Sequence, residues 1–200
     1  MIPMIKAIIF DVGGTYMKGS FIDFVNKSYK ILGIPGKFNT KKEVYFDKEL
    51  NRGRIPVEKC FKDFFKTPIS EEQMKDIKKI WTTTWTPTPE MEELIEKLGE
   101  DYKLAILSNS DKANSDKFRE RGWYSCFNPV ILSHEEGVIK PEKEIYEITL
   151  ERLGLQPEEC VFIDDQESVL EPARKMGMKT IHFENIQQLK KELRQLGITF

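Results

Sequence analysis

Residues 5–15 read IKAIIFDVGGT. Ile5, Ala7, Ile8, Ile9 and Phe10 make a short, nearly continuous apolar run, closed at once by Asp11 and two glycines. Such a run predicts a strand over Ile5–Phe10 that is buried on both faces, and burial on both faces belongs to a parallel sheet covered by helices. Working outward, the same kind of run recurs at Lys103–Leu107 (KLAIL), Pro129–Leu132, Cys160–Ile163 (CVFI) and Lys179–His182. Helical periodicity separates these runs. Met91–Leu98 has apolar residues at i, i+3, i+4 and i+7, with Gly99 as the expected stop. Lys112–Arg121, Pro141–Leu153 (Pro141 taking the first helical position), Gln166–Met176 and Ile186–Leu196 follow. Strand–helix alternation of this sort is an α/β fold with a parallel, Rossmann-like sheet.

Residues 16–82 break the alternation. They read as four helices, Phe21–Leu32, Lys41–Leu50, Val57–Phe65 and Glu71–Trp81, with no strand evident. The expected organisation is an α/β core over 1–15 and 83–200 with a helical insertion over 16–82. A chain of 200 residues fits one domain with such an insertion.

The 31 basic and 33 acidic side chains leave a net charge of −2, which argues against a general nucleic-acid or acidic-membrane binder. Apolar stretches are too short to span a bilayer. Met1–Phe10 carries Lys6 and runs into Asp11, unlike a signal peptide, so a cytoplasmic protein is expected. Cys60, Cys126 and Cys160 are odd in number and widely spaced, which fits free thiols rather than a disulfide framework or a zinc site. His134 and His182 share no ligand spacing.

In open parallel sheets, ligands bind outside the carboxyl ends of the strands. The first predicted strand ends in Asp11-Val-Gly-Gly-Thr15, the second in Ser108-Asn109-Ser110-Asp111 and the fourth in Asp164-Asp165. The third leads to Lys140-Pro141. Three carboxylates, a hydroxyl–amide pair and one lysine are thus expected at a single sheet edge. Two like charges 4 Å apart cost on the order of 4 kcal/mol at an effective dielectric of 20. Asp11, Asp164 and Asp165 therefore need compensation, which Lys140 and a hard cation such as Mg²⁺ supply. Taken singly, Asp165, Ser110 or Asn109 has a plain alternative as a helix N-cap. Lys140 at a helix start stands against the helix dipole, which suggests an anion beside it. Gly13-Gly14 permits close backbone approach to a ligand.

Four segments, FDVGGT, SNSD, IKP and FIDDQESVLEPARKMGM, resemble in order and spacing the four motifs of the haloacid dehalogenase-like (HAD) hydrolase superfamily. The third and fourth look most like the branch containing the phosphatase domain of soluble epoxide hydrolases and bacterial α-glucose-1-phosphate phosphatases. The resemblance covers essentially the whole chain and implies a HAD-like core with residues 16–82 as an α-helical cap. It implies Asp11 as nucleophile and metal ligand, the Gly13 carbonyl and Asp165 as further ligands to Mg²⁺, and Asp164 as support for the metal or its waters. It also implies phosphate binding by Ser108, Asn109 and Gly14, and Lys140 balancing the charge on nucleophile and phosphoryl group. The implied activity is Mg²⁺-dependent hydrolysis of a small phosphorylated metabolite through an aspartyl-phosphate.

Two positions depart from the family pattern. The general acid/base usually two residues after the nucleophile is replaced by Gly13. Three activities are compatible with that: a phosphatase for good leaving groups, a low-turnover phospho-ligand-binding or regulatory protein, and a 2-haloacid dehalogenase. The Asp164-Asp165 pair argues against the last. Val169 stands where many relatives carry Asp or Asn, so weaker Mg²⁺ binding is expected. Tyr16, Lys18, Arg52 and Arg54 are candidates for substrate contact. Phe61, Phe64, Phe65, Trp81 and Trp85 are expected to be core.

Overall fold

The computed structural model describes residues 4–35 and 48–200. Along the chain run β1 (Ala7–Phe10), β2 (Met17–Lys18), α1 (Phe21–Leu32), α2 (Lys48–Asn51), α3 (Val57–Phe65), α4 (Glu71–Trp81) and β3 (Thr86–Pro87). There follow α5 (Pro89–Asp101), β4 (Lys103–Ser108), α6 (Lys112–Glu120), β5 (Val130–Leu132), α7 (Ser133–Glu136) and α8 (Lys143–Leu153). The chain closes with β6 (Cys160–Asp164), α9 (Glu167–Lys175), β7 (Lys179–His182) and α10 (Ile186–Gln195).

The main sheet has the order β5-β4-β1-β6-β7, every pair parallel. Alternation of side chains along the strands divides its residues between two layers. Ile8, Phe10, Leu104, Ile106, Val161 and Ile163 pack with Leu94 and Leu98 of α5 and Leu189 and Leu193 of α10. Ala7, Ile9, Ala105, Leu107 and Phe162 face the other way, onto Ile145 and Tyr146 of α8 and Leu170 of α9. Each buried Ile or Phe contributes about 1.5–3 kcal/mol by leaving water. The order reverses at β1, whose neighbours β4 and β6 lie on either side, so the crevice at its carboxyl end is the place for a ligand.

Helices α1, α3 and α4 enclose a separate apolar cluster around Phe24, Phe61 and Trp81, with Phe24 4.8 Å from Trp81 and 5.4 Å from Phe61 between ring centroids. Their starts follow from sequence: the Ser20 side chain accepts from Asp23 N–H, and Ser70 forms a capping box with Gln73. Among the described residues no helix is long and apolar enough to cross a membrane.

The structure corrects three expectations and leaves a fourth largely outside the described residues. Residues 16–82 do contain a strand: Met17–Lys18 pairs antiparallel with Thr86–Pro87. Helix α5 runs through Gly99 to Asp101, because Gly99 lets the helix approach Leu104, whose Cδ1 would stand 3.3 Å from a Cβ there. Pro141 is not the first residue of α8, since Glu142 keeps extended backbone as its N-cap and the helix begins at Lys143. Of the helix expected over Lys41–Leu50, residues 41–47 lie outside the described residues, as do Tyr45 and Phe46, and only Lys48–Asn51 is described as helical.

Candidate active site

The carboxyl ends of β1, β4 and β6 bring the expected charges together. Asp11 directly follows β1 and is fixed by its own N–H donating to the Ile163 carbonyl at 2.9 Å. Asp164 ends β6 and is fully buried. Lys140 reaches both, with Nζ 2.6 Å from Asp11 Oδ1 and 2.5 Å from Asp164 Oδ2. Asp11, Asp164 and Asp165 each offer a carboxylate oxygen within 4.8 Å of the others.

Asp11, Asp164 and Lys140 are almost cut off from water and Asp165 partly so, and their proton affinities follow. Burial pushes the Asp11 carboxyl well above the usual carboxylate range, with Asp164 and Asp165 adding to the shift and Lys140 opposing it. Burial, then the Asp164 charge, raises Asp165 too. Burial alone would lower Lys140, but the charges of Asp11 and Asp164 and the hydrogen bonds to them outweigh it, so the lysine is held as a cation. Its place is thus explained by these two carboxylates. The helix-dipole expectation is corrected, because Lys140 stands three residues ahead of α8.

Asp165 is not a helix cap: Gln166 holds that position, and the buried Oδ1 of Asp165 has no hydrogen-bond partner. Its Oδ2 lies 2.3 Å from where a Cβ of Gly14 would be, so only glycine admits the carboxylate. The Gly13 carbonyl accepts no main-chain hydrogen bond among the described residues, while the neighbouring Val12 carbonyl takes the Met17 N–H. Three carboxylates against one ammonium leave a net charge of −2 when all are ionised, which one divalent cation cancels. An all-oxygen donor set with an unpartnered buried carboxylate oxygen fits a hard cation such as Mg²⁺.

Asn109 has a tighter role than expected. Its carboxamide clasps the main chain of Lys140, accepting from the N–H at 2.8 Å and donating to the carbonyl at 3.0 Å. Ser108 ends β4 and lines the cavity above the carboxylates. Asp111, not Ser110 or Asn109, caps α6 by accepting from Asn114 N–H. The Gly14 N–H donates to the Met17 carbonyl at 2.9 Å. Both oxygens of Asp164 have donors, Lys140 on one and the Gln166 N–H on the other. Val169 is buried in the apolar layer beneath the cavity.

The cavity has a volume of about 660 Å³ and is walled by the sheet edge, by Phe21 and Trp81 of α1 and α4, and by Trp85 just ahead of β3. Trp81 also donates its indole N–H to Asp111 at 3.0 Å. Tyr16 is corrected from substrate contact to core, since it is buried with its hydroxyl donating to the Trp123 carbonyl. Arg52 forms a two-pronged ion pair with Glu142 and donates to the Gly137 carbonyl, gripping the segment that carries Lys140. Arg54 pairs with Glu49 at the surface, and Lys18 is exposed.

The haloacid dehalogenase-like hydrolase family model matches residues 5–177. The chain belongs to that family. It is 27% identical over 197 residues to a glyceraldehyde 3-phosphate phosphatase of Methanocaldococcus jannaschii, covering 89% of this chain and 84% of the relative. It is 36% identical over 100 residues to bifunctional epoxide hydrolase 2 of Mus musculus, covering 48% of this chain but only 18% of that much longer protein. A HAD family enzyme of Bacteroides thetaiotaomicron, solved with magnesium and inorganic phosphate, superposes with a TM-score of 0.76 at 23% identity, over 92% of this chain and 98% of that one. The four-motif resemblance is borne out at the level of family and fold.

Proposed function

We propose that the protein is a Mg²⁺-dependent phosphomonoester hydrolase for a small phosphorylated metabolite. The observation that carries it is the buried Asp11–Lys140–Asp164 ion triad with Asp165 beside it, at the switch point of a HAD-family sheet. The phosphatase relative and the magnesium- and phosphate-bound neighbour support it.

In this reading Asp11, the Gly13 carbonyl and Asp165 hold Mg²⁺, with Asp164 as support. Held there, Mg²⁺ would supply the positive charge that lets a carboxylate approach a phosphate dianion. Asp11 attacks phosphorus in line, forming an O–P bond as the bond to the leaving oxygen breaks. Water then hydrolyses the aspartyl-phosphate, releasing inorganic phosphate and restoring the carboxylate. Lys140 holds the charge on nucleophile and phosphoryl group, Asp164 and Asn109 position Lys140, and Ser108 contacts the phosphoryl oxygens. Gly13 offers no proton, so the leaving oxygen departs as an anion and the rate falls steeply as its basicity rises.

The α/β core spans 1–15 and 83–200 and the cap 16–82, closing the site and excluding water. The three free cysteines fit a cytoplasmic, reducing setting.

The test is phosphate release from 4-nitrophenyl phosphate and acetyl phosphate with Mg²⁺. Turnover that disappears in Asp11→Asn is expected. No release above background from clean protein with any metal overturns the phosphatase and leaves a phospho-ligand-binding role.

A further inference from the structure

One aromatic ring stands where the proton donor is missing. A Cβ built on Gly13 would lie 3.9 Å from Trp85 Cζ3 and 4.0 Å from Cη2, so the far edge of the indole covers the space that a side chain at 13 would enter. The adjoining edge of the same six-membered ring lies against Gly19. A Cβ there would come within 2.4 Å of Cε3 and 2.6 Å of Cδ2, closer than any real contact, so only glycine provides this seat. Gly19 follows β2 and Trp85 precedes β3, so the two-stranded ribbon holds the seat and the ring together. Trp85 remains partly exposed and lines the same cavity as Asp11. Phe21 and Trp81 line it as well, edge to face at 6.4 Å. The cavity therefore sets an aromatic wall, Trp85 with Phe21 and Trp81, beside the carboxylates.

We propose that Trp85 is the platform for the leaving group and that the enzyme selects phosphomonoesters whose bridging oxygen is carried by a planar aromatic ring. This rests on the phosphatase function above and names its substrate class. Two independent requirements converge. A ring stacked on Trp85 gains the geometry-dependent attraction of aromatic pairs. An aryl oxide is also a far weaker base than an alkoxide, with a phenolic pKa of about 10, and so leaves without the acid that Gly13 lacks. Trp85 is a specificity-determining residue here.

The experiment has a binding arm and a kinetic arm. In the wild-type protein with Mg²⁺, phenylphosphonate is expected to bind about three- to tenfold more tightly than methylphosphonate, with quenching of tryptophan fluorescence. In Trp85→Leu the two phosphonates converge, and the ratio of kcat/KM for 4-nitrophenyl phosphate over acetyl phosphate falls by a similar factor. Trp85→Phe keeps most of both preferences. Equal binding of the two phosphonates by the wild-type protein overturns the proposal, and so does a ratio unmoved by Trp85→Leu. The wild-type comparison needs no variant to fold. Acetyl phosphate, whose leaving group has no ring, reports on the phosphatase separately: its hydrolysis with equal phosphonate binding sinks Trp85 alone.

Discussion

The Asn109 carboxamide grips Lys140 by its main chain, taking the N–H at 2.8 Å and giving to the carbonyl at 3.0 Å. Lys140 is thus held at two levels, its ammonium by Asp11 and Asp164 and its peptide by Asn109. Asn109→Asp replaces the donor with a second acceptor facing a carbonyl. Each lost hydrogen bond is worth about 1 kcal/mol, so kcat should drop about tenfold or more. Asn109→Ala should cost about the same while leaving the KM for Mg²⁺ unchanged. A variant with full kcat would show that the clasp does not position Lys140.

Asp165 offers a buried oxygen without a partner. Mg²⁺ at one hundred times its Kd should therefore stabilise the protein by about 2.7 kcal/mol, read as a rise in Tm that EDTA reverses. In Asp165→Ala the rise should vanish. A rise of equal size in the variant would place the ion elsewhere.

Arg52 and Glu142 join the helical segment before α3 to the loop that carries Lys140. The pair is partly shielded, so a coupling of about 1 kcal/mol is expected. Melting curves of Arg52→Ala, Glu142→Ala and the double variant measure it directly. Phosphatase kcat/KM should fall a few-fold in each single variant.

His134 lies close to Ser110 and packs against the loop at Gly53. Burial holds its pKa below the ordinary value, with Glu135 opposing. The unfolded chain therefore binds a proton more readily than the folded one. The resulting stability is present above an ordinary histidine pKa of about 6.5 and is lost as pH falls below it. The Tm of the wild-type protein should decline more between pH 6.5 and 5.5 than that of His134→Gln. Parallel curves would show that His134 is not involved.

What could be read from residues alone was whatever is written locally. The five sheet strands are short apolar runs; Asp11, Asp164 and Asp165 sit at their ends by topology alone, and Lys140 comes to the same edge on the loop that follows β5 and α7. What escaped was set by distant partners. Tyr16 looks like a site residue until its hydroxyl meets the Trp123 carbonyl, 107 positions away. The clasp of Asn109 on the Lys140 main chain shows only once the loop from β5 brings the two together, 31 positions apart. Strands of two residues, such as Met17–Lys18, are too short for any period to appear. The role of Trp85 lay hidden because helical spacing assigned it to a core, while the glycines that seat it are far away in sequence.

The ribbon of Met17–Lys18 and Thr86–Pro87 has a consequence for the history of such a chain. The 67 residues between Lys18 and Thr86 leave and return at points one strand spacing apart, about 4.8 Å. Whatever is threaded between them, longer or shorter, meets the sheet through the same narrow doorway. Helices traded in at that doorway leave the strand that carries Asp11 in place, and they need to keep only what Arg52 does for the Lys140 segment, so the choice of substrate can drift while the chemistry stays where it is.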